Sequence, residues 1–124
     1  MKVKDYKELK VWQKGIDIVD KIYSITEKFP KDEMYSLVVQ MRRAAVSVPS
    51  NIAEGFNRKH TKEYTQFLRT SLGSCAELDT QLIITVRRKY ISEDKSKEIL
   101  KDIEDESRML SALIRTLSQK YHMS

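Results

Sequence analysis

Residues 33–56, EMYSLVVQMRRAAVSVPSNIAEGF, limit what this chain can fold into more than any other stretch. On a helical wheel of about 100° per residue, Met34, Leu37, Val38, Met41, Ala44, Ala45, Val48, Ile52 and Phe56 share one arc. Gln40, Arg43, Ser47, Ser50, Asn51, Glu54 and Arg58 share a second. The remaining side carries Tyr35, Val39, Val46, Pro49 and Ala53, with Arg42 its only charge. A surface helix shows one apolar stripe turned to the core. This one has two apolar sides and an orderly polar stripe. One apolar side can serve the core. The other calls for a partner, because exposed apolar patches mark interfaces. The wheel therefore assigns Tyr35, Val39, Val46, Pro49 and Ala53 to an interface between copies of the chain. Pro49 lacks a backbone donor and its ring crowds the Ala45 carbonyl, yet the apolar phase runs on to Phe56. The reading is one helix kinked at Pro49, with Ser47 and Ser50 hydroxyls helping to satisfy the freed backbone.

Three further helical patterns flank it. Asp5 and Glu8 have capping-box spacing, and Leu9, Trp12, Ile16, Val19 and Tyr23 then recur at helical spacing. Gly15 sits inside that pattern, where it lets another backbone come close. Trp12 reads as a core or interface anchor in preference to a base-stacking platform. Phe29-Pro30 ends the first helix, and Asp32 and Glu33 suit the start of the second. Thr61 can cap a third helix whose stripe includes Phe67, Leu68, Leu72, Cys75, Leu78, Leu82 and Val86. Gly73, Ser74, Cys75 and Ala76 form a small-residue patch that permits close helix approach. Ser92, Glu93 and Asp94 start a fourth helix with the stripe Ile99, Ile103, Leu110, Leu113, Ile114 and Leu117. Glu104, Asp105 and Glu106 read as a solvated acidic face. Helices are expected over about residues 6–28, 33–56, 62–88 and 93–120. The connections are short, so the expected fold is all-α, an antiparallel up-down-up-down four-helix bundle forming a single domain over residues 1–124.

Composition agrees. Only three glycines and two prolines are present, too few for a turn-rich β fold, and 33% of residues are charged. No apolar run is long enough for a membrane span, and MKVKDYKELK lacks an apolar signal region. Cys75 is the lone cysteine, which rules out an intrachain disulfide. A cytoplasmic protein is expected. The net charge is +5. Residues 1–91 hold 17 Lys and Arg against 11 Asp and Glu, and residues 92–124 hold 6 against 7. The surplus thus belongs to the first three helices, and it argues for a polyanionic partner.

Catalysis finds little support. His60 and His122 lie in a turn and a tail, no Cys or His pair has zinc spacing, and no glycine-rich phosphate loop occurs. Glu54 and Glu77 lack the Glu-x-x-His motifs of a di-iron bundle. Cys75 falls on a core stripe, as an inert thiol does. No catalytic residue, metal or cofactor is expected. On the polar stripe, Ser47, Asn51 and Glu54 suit a hydrogen-bonded subunit seam. Phosphate contacts are assigned to Arg42, Arg43, Arg58, Lys59, Arg69, Arg87 and Arg88. For the pair Arg87 and Arg88, completing the helix dipole competes evenly with that role.

The stretch VWQKGIDIVDKIYSITEKFPKDEMYSLVVQMRRAAVSVPSNIAEGFNRKHTKEYTQFLRTSLGSCAELDTQL resembles the four-helix-bundle family of 23S rRNA intervening-sequence proteins. The blocks QMRRAAVSVPSNIAEG and FLRTSLGSCAELDTQL carry the resemblance, which covers about residues 9–90. Relatives include the accessory variability proteins of diversity-generating retroelements. The resemblance implies association with RNA or DNA and a doughnut-shaped homopentamer. Two readings follow: a non-catalytic, oligomeric nucleic-acid-binding protein, or an adaptor that docks a reverse transcriptase.

Overall fold

A computed structural model describes residues 2–120. Four helices dominate: α1 (Lys10–Thr26), α2 (Leu37–Phe56), α3 (Thr61–Arg87) and α4 (Glu93–Lys120). Short 3-10 turns, Tyr6–Glu8 and Lys31–Glu33, precede α1 and α2. The result is an all-α four-helix bundle.

Two of the expected helix starts move. The Asp5–Glu8 capping box forms, but it closes the 3-10 turn and not α1, which begins after Leu9. Asp32 and Glu33 likewise sit in a 3-10 turn, and α2 starts only at Leu37. Glu33 is held there from outside its own helix. Its carboxylate accepts hydrogen bonds from the Ser36 hydroxyl and the Tyr90 phenol, both at 2.7 Å. Those bonds, Ser36 first, hold its carboxyl below the usual glutamate range. His60, not Thr61, is the N-cap of α3. At the other end of α3, Lys89 takes a left-handed conformation with φ 63°. The Tyr90 amide then donates back to the Thr85 carbonyl and the Lys89 amide to that of Val86, a Schellman ending with lysine in the usual glycine place. Ser92 caps α4 by accepting from the Lys95 amide.

Contacts between helices fix how they run. Gly15 of α1 meets Pro49 of α2, while Thr26 meets Arg42. Ser71 and Ser74 of α3 bond to Val48 and Ser47 of α2, and Gly55 lies against Tyr64 and Phe67. Lys14 pairs with Asp102 and Lys21 with Glu98 across α1 and α4. At each contact, residue numbers rise along one helix as they fall along its neighbour. The start of α1, the end of α2, the start of α3 and the end of α4 therefore share one end of the bundle.

The core holds the expected stripes: Ile18 and Ile22 from α1, Met41, Val48 and Ile52 from α2, Leu68, Leu78 and Leu82 from α3, Ile103 and Leu110 from α4. Each such side chain contributes about 1.5–3 kcal/mol when fully buried. Cys75 is buried among them, and burial pushes its thiol up to about 12, so it is inert at neutral pH.

Pro49 departs from expectation. It is buried within the protomer, its ring stacked on Gly15, so it cannot serve a contact between copies. α2 continues without a break through it. Of the small-residue patch on α3, Ser74 and Cys75 turn inward, while Gly73 and Ala76 are exposed. Gly73 faces open space, and the close approach to α2 is made through Ser71, Ser74 and, on α2 itself, Gly55.

The glycines give opposite predictions. A Cβ at Gly55 would stand 2.8 Å from the Phe67 Cβ and 3.0 Å from the Tyr64 carbonyl oxygen. Gly55→Ala is therefore expected to destabilise by about 1–3 kcal/mol through overpacking. Gly73→Ala meets nothing and should stabilise by about 0.5–1 kcal/mol through helix propensity. Urea denaturation of both variants checks the pair.

Candidate nucleic-acid interface

The seven bases expected to touch phosphate do not form one patch. Arg42 and Arg43 lie midway along α2, Arg58, Lys59 and Arg69 lie towards the end where α2 hands over to α3, and Arg87 and Arg88 close α3 at the opposite end. Arg42 is not a free cation. Its Nε donates to the Thr26 hydroxyl at 2.9 Å, and its guanidinium lies 4.4 Å from the Tyr23 ring centroid. Thr26 in turn donates to the Ile22 carbonyl at 2.7 Å. Arg42 thus ties α2 to α1. Arg58 pairs with Glu54 at 3.6 Å and covers the Phe67 ring at 4.7 Å. Arg43, Lys59, Arg69, Arg87 and Arg88 are exposed.

The polar stripe of α2 is used within the protomer. Asn51 donates to the carbonyl and the hydroxyl of Ser47, each at 2.8 Å. The Ser74 hydroxyl donates to that of Ser47, also at 2.8 Å. Ser47 thus ties α2 to α3, and Asn51 holds Ser47 in place, the internal hydrogen bonds expected of this stripe. Glu54 is exposed.

The second apolar side is smaller than the wheel implies. Val39 and Ala53 are half-buried, while Val46 is 40% and Tyr35 is 92% exposed. Val39 and Val46 line a groove of about 660 Å³ together with Tyr23, Arg42, Arg43, Ser47, Ser50 and Asn51. Two arginines and no carboxylate border it.

Folding moves the charge in a way that reading by helix conceals. Residues 2–14, 50–70 and 108–120 come together at the shared end, and they hold 12 Lys and Arg against 4 Asp and Glu. Residues 15–49 and 71–107 hold 11 against 14. One end therefore carries a surplus of eight positive charges and the rest of the bundle a deficit of three. Lys2, Lys4, Lys7, Lys10, Lys62 and Arg115 belong to this end, and all are exposed. Sequence reasoning missed them because they are scattered over three separate segments. Aligning the four helices head to tail before counting charge would have found them. The rest of the surface, Arg87 and Arg88 included, is balanced or acidic. On α4, Glu104 and Asp105 pair with Arg108, and Asp105 also with Lys101.

Among the described residues, no group of three His, Cys, Asp or Glu is placed to hold a metal ion. Glu54 and Glu77 both face outward. No described helix is long and apolar enough to cross a membrane. His122 lies outside the described residues.

A basic four-helix bundle with charge gathered at one end is the class that these features define. Comparison with known proteins gives the family. The profile of the 23S rRNA-intervening sequence protein family matches residues 7–112, and the chain belongs to that family. Among solved structures, the chain is similar to a protein of unknown function from the S23 ribosomal protein family of Bacteroides thetaiotaomicron VPI-5482. The TM-score is 0.79 at 19% identity, over 85% of this chain and 95% of that one, which shows a shared fold. No curated protein matches the chain.

The hydroxyl relay between α2 and α3 yields a prediction. Ser74→Ala removes the donor to Ser47 at a buried position. It is expected to cost about 1 kcal/mol in thermal or urea unfolding, with helicity by circular dichroism unchanged.

Proposed function

We propose that this chain is a non-catalytic, cytoplasmic, homo-oligomeric protein that binds RNA or DNA through its phosphates with little sequence specificity. The gathering of exposed lysines and arginines at one end of the bundle carries this reading. A concentrated positive field attracts a polyanion and releases its counterions on binding. Lysines on flexible stems contact phosphates, and phosphate contacts carry no sequence information. The family name, which refers to an rRNA insertion, favours RNA. Tyr35, Val39 and Val46, with the half-buried Ala53, supply the surface for assembly, and the pentamer implied by the family resemblance would multiply the charge of each copy. Five copies at +5 would carry about +25.

A second reading has its own observation. The groove bordered by Arg42 and Arg43 is apolar along Val39 and Val46 and has no acidic lining, which suits an acidic partner protein. An adaptor that docks a reverse transcriptase would use such a surface.

Labelled structured RNA and duplex DNA, titrated from about 50 to about 300 mM salt, test the first reading. Affinity should fall steeply with salt. The double charge reversal Lys59→Glu with Lys62→Glu should weaken binding more than about tenfold and flatten the salt slope by about two. Arg87→Glu with Arg88→Glu should change it far less. A folded protein that binds neither nucleic acid at low salt would refute the proposal.

Assembly is checked separately. Val46→Glu places a charge in the α2 groove and is expected to lower the mass seen by light scattering while helicity stays intact. An unchanged mass would remove α2 from the interface.

A further inference from the structure

Glu106 is the one carboxylate among the described residues whose side chain is wholly buried. Its position on α4 continues the stripe Ile99, Ile103, Leu110 and Ile114, so the helix points it inward. Neither of its oxygens has a hydrogen-bond partner. All four helices come together around it. On α1, Gly15 leaves the space it occupies: a Cβ there would stand 3.2 Å from the Glu106 Oε2. On α2, the Pro49 ring packs against the same glycine, at 3.3 Å from that Cβ position. On α3, the nearby titratable group is the buried Cys75 thiol, which stays protonated. The one cation acting on Glu106 is Lys14 of α1, and it is already engaged with Asp102 at 3.4 Å. Asp102, one turn earlier on α4, also binds Lys21. There, burial works to raise the carboxyl, but Lys21 and then Lys14 outweigh it and hold it below the usual aspartate range. Asp105, the preceding residue, is taken up by Lys101 and Arg108.

A buried carboxylate without donors is costly when ionised and tolerable when neutral. Here neither oxygen meets a donor. Lys14 has its ion pair with Asp102 at 3.4 Å, part of the seam between α1 and α4, and forms no hydrogen bond to Glu106. We propose that Glu106 is a proton-operated latch: protonated, it lets α4 seat against Gly15 and Pro49; ionised, it drives α4 off α1 and opens that seam. The proton passes to solvent as the seam opens, and water then solvates the carboxylate. This holds whatever ligand the basic end binds.

The direction with pH follows from burial. Burial pushes the Glu106 carboxyl up to about 8 from an ordinary 4.5, with Lys14 pulling weakly the other way. The folded chain thus keeps a proton that the unfolded chain releases. Stability is greatest below the unfolded value, falls as pH rises through the interval to about 8, and levels off beyond it.

Urea unfolding of the full chain and of Glu106→Gln across about pH 5 to about 9 tests the latch. Relative to the glutamine variant, the wild-type unfolding constant should rise about tenfold per pH unit up to about pH 8. Amide exchange, corrected for its intrinsic pH dependence, should speed up in α4 and the facing side of α1 of the wild type as pH rises towards about 8, and by more than in α2 or α3. Parallel stability curves, or an acceleration spread evenly over all four helices, would overturn the proposal. Should the glutamine variant not fold, infrared spectra of the wild type decide. The band of a protonated carboxyl must persist at neutral pH and vanish above about pH 8; its absence at neutral pH overturns the latch.

Discussion

At Gly15 three helices need the same space, because α1 there receives the Pro49 ring from α2 and the Glu106 carboxyl from α4. A methyl group would meet both within 3.2–3.4 Å. The glycine costs about 1 kcal/mol of helix propensity relative to alanine. That loss is offset by burying a proline ring on one side and seating α4 on the other. The rest of the bundle depends on this approach. It sets how near α2 stands to α1, and so lets Arg42 reach Thr26 and Tyr23. It also sets how near α4 stands to α1, and so lets Lys14 and Lys21 reach Asp102. Gly55 plays the matching part between α2 and α3, less than two helical turns along α2 from Pro49.

Much of this architecture is legible in the residues alone. The helices and their core stripes follow from apolar spacing, because a long stripe at 3.6-residue intervals has few other uses. Helix starts are less legible. Asp5 and Glu8 form the box that their spacing announces, yet a box satisfies a 3-10 turn as readily as an α-helix. Glu33 marks a chain turn because Tyr90, 57 residues away, binds it, and no local pattern contains that bond. Glu106 shows a different failure. In the run Glu104-Asp105-Glu106, three charges together suggest a wet face. The stripe position says otherwise, since residues 99, 103, 106, 110 and 114 all turn to the core. Periodicity outranked residue type there.

The candidate site was less legible than the fold, and the reason is geometric. Sequence spacing singles out seven bases on separate helices, but a polyanion meets a surface and not a helix. Once the four helices are laid against one another, the lysines before α1, the turn after α2 and the end of α4 become neighbours. Arg87 and Arg88 are left at the balanced end. Arg42 was hard to read for another reason. An arginine flanked by apolar positions looks stranded in solvent, yet its guanidinium found the face of Tyr23 and the hydroxyl of Thr26, one helix away. The second apolar side of α2 shrank likewise. Pro49 turned inward, Val39 and Ala53 half inward, and Tyr35 falls in the turn before the helix, leaving Val46 as its exposed member.

Assembly and ligand binding would then be coupled through charge. The groove on α2 lies at mid-bundle, apart from the basic end. Copies joined through it by rotation about an axis along the helices would bring equivalent ends to one side. Ends with a surplus of eight positive charges repel one another, and salt screens that repulsion only beyond about 8–10 Å. A bound phosphate chain would remove the repulsion and so favour the assembled state, as any ligand favours the state that binds it better. An apolar seam as narrow as the one left on α2 would resist that repulsion weakly by itself. The modest size of the uncovered apolar face and the size of the charge surplus are, on this view, two sides of one balance, in which the polyanion completes what the side chains of α2 begin.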